Sequence, residues 1–287
     1  MSDPNGLRPH QPPPPGAWDC HAHVFGPFDR YPVLAHRRYD PPSAPANEYL
    51  QTLDEIGFAH GVLVHASAYG FDNSCTGDAV RASQGRVVGV CVPEPTVSDQ
   101  ELERLHADGF RAIRVTETGP RAKQYAGSMD FADLQRLAPR LKELGWHAQV
   151  WANCEQILRE GARLASYEMP IVFDHMGYFE VGDGVQGSTF RSFLSLLASG
   201  DFWAKLSPIR LTKTDATYAS VRPFHERVLE AIPDRALFGC DWPYLSMPAD
   251  SARTRRLVDL FDEWTPDEEL RNKVFVHNPQ RLFRRGA

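Results

Sequence analysis

The sequence predicts an α/β fold, a (β/α)8 TIM barrel, on three observations. Eight short apolar runs are spread along the chain from Trp18 onward, several almost continuous in Val, Ile and Phe, as in strands buried on both faces of a parallel sheet. Between them lie segments with apolar residues at i, i+3, i+4 and i+7, the pattern of amphipathic helices. No Gly-rich dinucleotide fingerprint follows any strand and no second composition regime breaks the alternation, which favours a closed barrel over an open doubly wound sheet.

In chain order the predicted strands are residues 18–24, 61–66, 87–92, 112–116, 146–151, 171–174, 202–206 and 236–240. The clearest helix is 130–144, where Phe131, Leu134, Leu137, Leu141 and Leu144 mark one face. Asp130 is its predicted N-cap and Gly145 its C-terminal stop, and 98–108 followed by Gly109 repeats the scheme. Residues 1–16 are polar and proline-rich and read as a flexible or surface-draped tail. Residues 17–287 then form one barrel domain, since such barrels reach roughly 250 residues as a single unit. The irregular stretch 25–45, with Pro27, Pro32, Pro41, Pro42 and Pro45, reads as a lid or substrate wall.

Composition narrows the function classes. Of 287 residues 42% are hydrophobic, enough for one large core, and the 24% that are charged is ordinary for a globular protein. A net charge of −6 leaves no basic footprint for nucleic acid, so a site that handles an anion must concentrate positive charge locally. The five cysteines Cys20, Cys75, Cys91, Cys154 and Cys240 are scattered with no CxxC pair, which implies free thiols in a reducing compartment. With no apolar leader and no membrane-length apolar window, a soluble cytoplasmic protein is expected, without membrane or nucleic-acid partners. A homodimer is compatible with this reading.

Three segments carry chemistry. In Asp19-Cys20-His21-Ala22-His23 the two histidines are two apart on a strand and face one side, at the C-terminal mouth where barrel enzymes place their reactions. In Phe173-Asp174-His175-Met176-Gly177 a histidine ends the sixth strand, and in Phe238-Gly239-Cys240-Asp241-Trp242-Pro243 an aspartate ends the last. Taken singly, each is nearly as compatible with a buried structural histidine or a helix cap. Taken together, His21, His23, His175 and Asp241 fall at one rim of one barrel, and such clusters of imidazole and carboxylate are usually functional.

DCHAH, VFDHMG, FGCDWP and NPQRLF, with HASAYGFDN, FRAIRV, WHAQVW and KLSPIRLT between them, resemble the amidohydrolase superfamily over most of 18–283. The branch most similar is that of 2-pyrone-4,6-dicarboxylate lactonase and related sugar and muconolactone lactonases. The resemblance implies a hydrolase that opens a small anionic lactone, with Asp241 as general base and His21, His23 and His175 stabilising the oxyanion. It also implies no metal, and two features agree. Gln149-Val150-Trp151-Ala152-Asn153 offers no lysine or glutamate to bridge two metals, and Lys205-Leu206-Ser207 offers no further histidine. The alternative is one zinc held by His21, His23, His175 and Asp241, in a mononuclear hydrolase or decarboxylase.

On the substrate side, the resemblance places carboxylate-gripping arginines at Arg114 and Arg210, with a third near Pro120 and Arg121. Arginine's planar fork suits that task, and Arg114, set in a buried run, requires an anionic partner in any case. Tyr39, Ser67, Tyr69, Trp151 and Tyr244 are expected to line the pocket. Tyr244 stands where the branch commonly has histidine, and His65 where it commonly has glutamine. Glu117 would repel a second substrate carboxylate if it pointed inward, so a lactone bearing a different acidic group, or hydroxyls, competes with the dicarboxylate pyrone.

Overall fold

The computed structural model describes residues 11–117, 127–212, 215, 217–245 and 252–284. Eight parallel strands follow one another in chain order around a single sheet: β1 (Trp18–Ala22), β2 (His60–Val64), β3 (Val87–Cys91), β4 (Phe110–Glu117), β5 (His147–Ala152), β6 (Ile171–Phe173), β7 (Phe202–Leu206) and β8 (Ala236–Phe238). One main helix lies in each crossover: α1 (Ala46–Ile56), α2 (Ser74–Ala82), α3 (Asp99–Ala107), α4 (Phe131–Glu143), α5 (Cys154–Ala165), α6 (Ser188–Ser199) and α7 (Arg222–Ala231). Then α8 (Ala252–Trp264), α9 (Glu268–Asn272) and α10 (Asn278–Phe283) follow β8. This is the expected (β/α)8 barrel.

Helix ends follow the local chemistry of the sequence. Asp130 caps α4 by accepting from Asp133 N, and the Asp133 side chain accepts from Asp130 N in return. Asn153 and Gln156 make the same reciprocal pair on α5, and Ser98 caps α3 through Glu101 N. Each cap satisfies orphan amides and contributes about 1 kcal/mol.

Closure of the barrel rests on the far ends of β1 and β8. Asp241 N donates to His21 O (2.8 Å) and His23 N donates to Trp242 O (2.8 Å). Below them Asp19, fully buried, accepts from Cys240 N (2.9 Å), Cys240 Sγ (2.9 Å) and Tyr49 Oη (3.0 Å), which ties β1, β8 and α1 together. Gly239 permits this approach, since a Cβ there would lie 2.8 Å from His21 Cβ.

The barrel interior is apolar toward its N-terminal end. Trp18, Val62, Val90, Ala112, Val172, Trp203 and Leu237 pack with Leu282 and Phe283 of α10, which plugs that end by stacking on Trp18. Residues 13 and 14 of the proline-rich arm are buried, and Pro12 O accepts from Arg271 Nη2 (2.6 Å). All five cysteines are free and buried. Among the described residues, no helix is long and apolar enough to cross a membrane.

Replacing Gly239 by alanine should destabilise the protein by about 1–3 kcal/mol through overpacking against His21. A urea titration should show the lower midpoint, and an unchanged midpoint would refute the close-approach argument.

Candidate active site

At the C-terminal mouth, β1 carries a bulge: Asp19 pairs with Gly61 and Ala22 with Leu63, three steps on one strand against two on the other. The bulge lets Cys20 pack among the barrel-filling side chains while His21, the next residue, also reaches the interior. His23 lies just beyond the strand and its Nδ1–H donates to Val64 O (2.7 Å), which turns Nε2 toward Asp241 Oδ1 at 3.4 Å. His21 Nε2 lies 3.6 Å from the same oxygen. His175 pairs through Nδ1 with Ser207 Oγ (2.8 Å), and its ring centroid is 4.9 Å from that of His21. The structure therefore brings His21, His23, His175 and Asp241 together, all buried.

The backbone aims these groups by uncommon conformations. His175 (φ 50°), Met176 (φ 55°) and Tyr178 (φ 49°) follow β6, while Asp241 (φ 63°) and Tyr244 (φ 66°) follow β8. Left-handed non-glycine residues are costly and concentrate where surrounding structure holds them for function.

Beneath the cluster lies a buried charge network. Lys205 Nζ contacts His21 Nδ1 (2.8 Å), Gln149 Oε1 (2.5 Å) and Asp174 Oδ1 (2.9 Å), and it is fully buried. Asp174 also meets Arg114 Nε (3.3 Å) and His21 Nδ1 (3.3 Å). Burial alone would raise the Asp174 carboxyl, but the cations Lys205 and Arg114 hold it well below the usual carboxylate range. Asp241 is held low in the same way, against its burial, by Arg210 first and by its setting among His23, His175 and His21. Burial lowers all three imidazoles, His175 to about 4, so they are neutral at pH 7. For His21 the Lys205 charge adds to that effect.

Residues 18–285 match the amidohydrolase family. The chain belongs to that family. A 4-sulfomuconolactone hydrolase of Rhizobium radiobacter is 34% identical over 94% of this chain and 90% of its own length. A 2-pyrone-4,6-dicarboxylate hydrolase of Comamonas testosteroni is 33% identical over 94% and 90%. A solved structure from Agrobacterium tumefaciens superposes with a TM-score of 0.83 at 26% identity, covering 96% of this chain and 98% of that one.

Around the mouth of this amidohydrolase the other expected residues fall in different places. Arg114 is buried, its guanidinium 5.0 Å from the Trp151 ring centroid and paired with Asp174. Arg210, half-buried, donates through Nε to Asp241 Oδ2 (2.5 Å) and through Nη1 to Leu245 O (2.9 Å). Tyr39 and Ser67 stand side by side, Oη and Oγ 3.5 Å apart, on the loop and on the turn after β2. Tyr69 is buried and accepts from Gly26 N (2.8 Å), and Tyr244 is buried with its hydroxyl paired to Thr254. Arg121 lies outside the described residues. Glu117 caps α4 by accepting from Phe131 N (3.2 Å), which directs its charge to a helix end. The 25–45 loop is pinned along the rim: Phe25 pairs with Ala44 in an antiparallel bridge, and Leu34 N donates to Ala68 O (2.8 Å).

Sequence reasoning did not single out Lys205 or give Asp174 a role. A signal was present for Lys205: a lysine inside Phe202–Leu206, an otherwise apolar strand, requires an anionic partner as much as Arg114 does.

The lowered histidines make stability depend on pH. His65 and His175 are each brought to about 4 and His225 to about 3, mainly by burial, from an ordinary value near 6.5. Below pH 6.5 the unfolded chain binds protons that the folded protein refuses, so this stabilisation is complete above 6.5 and is lost as pH falls toward 4. Urea midpoints measured between pH 7 and pH 5 should decline steadily. A flat series would contradict the neutral buried state.

Proposed function

We propose that this amidohydrolase opens a carboxylate-bearing lactone of the pyrone-dicarboxylate, muconolactone or sugar-acid type, by water attack and without a metal. The observation that carries this reading is the convergence at Asp241 Oδ1. That oxygen is buried without a hydrogen-bond partner among the described residues, and it faces His23 Nε2 at 3.4 Å. His23 keeps its proton on Nδ1 for Val64 O, so both facing atoms are acceptors. A water molecule satisfies such a pair with its two protons, which leaves its oxygen lone pairs directed away from Asp241, toward a bound carbonyl.

In this mechanism Asp241 takes the proton of the attacking water. Its carboxylate is ionised throughout the neutral range, and the Arg210 contact orients it. In this reading His21 Nε2 and His175 face the lactone carbonyl as charge develops on it; both rings are buried, and preorganised donors contribute most where water is excluded. Collapse of the tetrahedral species expels the ring oxygen, which takes back the proton that Asp241 accepted from water, and yields the open hydroxy- or oxo-acid. Arg114 and Arg210 supply the local positive charge that an acidic protein needs to hold the substrate carboxylate, with Tyr39, Ser67 and Trp151 as walls. The names of the lactone-hydrolysing relatives support the substrate class. The buried free thiols agree with a cytoplasmic setting.

A second reading has one geometric observation in its favour. Ligand atoms of His21, His175 and Asp241 lie within 4.8 Å of one another, close enough to gather round a single ion. The proton arrangement disfavours it. Lys205 Nζ lies 2.8 Å from His21 Nδ1, and an ammonium there can only donate, which would keep the neutral ring's proton on Nε2, the atom an ion would need. Metal analysis of purified protein, with activity before and after chelation, decides between the two: stoichiometric, activity-linked zinc would overturn the metal-free mechanism.

Asp241→Asn should lower kcat by at least about 10³-fold while substrate binding stays measurable by calorimetry. Retention of wild-type turnover across a panel of pyrone, muconolactone and sugar-acid lactones, read by the acid released, would refute the base assignment. Arg114→Lys keeps a cation beside Asp174 but loses the planar fork, and should raise KM for the best anionic lactone roughly tenfold with kcat little changed. An unaltered KM would remove Arg114 from the substrate site.

A further inference from the structure

Lys205 is fully buried on β7, out of reach of solvent. Its three polar neighbours are Gln149 Oε1 at 2.5 Å, His21 Nδ1 at 2.8 Å and Asp174 Oδ1 at 2.9 Å. Burial pulls this amine below its ordinary value, and the Asp174 carboxylate at 2.9 Å opposes that pull and favours the ammonium, which can only donate. The contact with His21 therefore runs in one direction, from lysine to imidazole. His21 Nδ1 has a rival partner, Asp174 Oδ1 at 3.3 Å, which would accept a proton from Nδ1 rather than donate one. The two neighbours demand opposite tautomers of the same ring, and the shorter contact belongs to the lysine.

We propose that Lys205 is the positioning residue that fixes the His21 proton on Nε2, making this ring a donor to the reacting carbonyl and withholding its lone pair from a metal ion. Without the lysine, the nearby Asp174 carboxylate would draw the proton to Nδ1. That is the carboxylate–histidine arrangement in which the outward nitrogen serves as a metal ligand. One buried side chain thus sets whether the same cluster presents a hydrogen-bond donor or a coordination site. This inference rests on the lactonase reading for the donor's purpose, but the tautomer itself is independent of any substrate.

The test begins with the unaltered protein. Long-range 1H–15N correlation spectra of 15N-histidine-labelled enzyme at pH 7.5, with the His21 signals assigned by their loss in His21→Gln, report which ring nitrogen carries the proton. The expected result is protonation at Nε2 alone. A proton on Nδ1 would overturn the proposal whether or not any lactone is hydrolysed. In Lys205→Met the proton should move to Nδ1, and zinc affinity measured by calorimetry should rise at least about tenfold. On the best lactone, kcat should fall about 100-fold with KM little changed, the loss expected for one oxyanion donor. If Lys205→Met folds, as judged by circular dichroism, yet keeps the Nε2 tautomer, the lysine does not set it. If it does not fold, the spectrum of the parent enzyme still decides.

Discussion

The pairing of the chain just past β8 onto β1 is the constraint from which the site follows. Two backbone hydrogen bonds, Asp241 N to His21 O and His23 N to Trp242 O, close the ring of strands and at the same time set Asp241 against both histidines of the first strand. Barrel closure and assembly of the site are one event. The Asp19 carboxylate, shared by β1, β8 and α1, holds this seam from below, and Gly239 supplies the room for it.

Charge balance explains how so many ionisable groups stay buried at one end of the barrel. Asp174 is surrounded by Lys205, Arg114 and His21, and Asp241 by Arg210 and three neutral imidazoles. Each carboxylate keeps its charge because a cation stands beside it, and each imidazole stays neutral because burial resists adding another charge. The arrangement leaves lone pairs and protons pointing into the mouth in a defined pattern, which is the property a water-activating site requires.

Much of this architecture was legible from residue patterns. All eight strands lie close to where apolar runs indicated, and the cap residues Asp130 and Ser98 open their helices. The ends differ for physical reasons. The last strand stops at Phe238 and the sixth at Phe173, because the chain soon turns through the left-handed residues Asp241 and His175, a feature that hydrophobic periodicity does not carry. The β1 bulge that turns both Cys20 and His21 inward is a property of register, set by the pairing partner. His21, His23, His175 and Asp241 could be found because each sits at a strand end. Lys205 escaped notice because it lies within one, and Glu117 was expected near the anion site because its role as a cap for α4 depends on where that helix begins.

The proline-rich arm has a practical corollary. Pro12 and Pro13 pack beside Gly57, at the turn that feeds β2, and Pro12 is tied to Arg271 of α9, so the chain enters the domain from the pole opposite the C-terminal mouth. Tethering the enzyme to a support or a fusion partner through residues ahead of Pro12 would leave the working end pointing away from the anchor, open to incoming substrate.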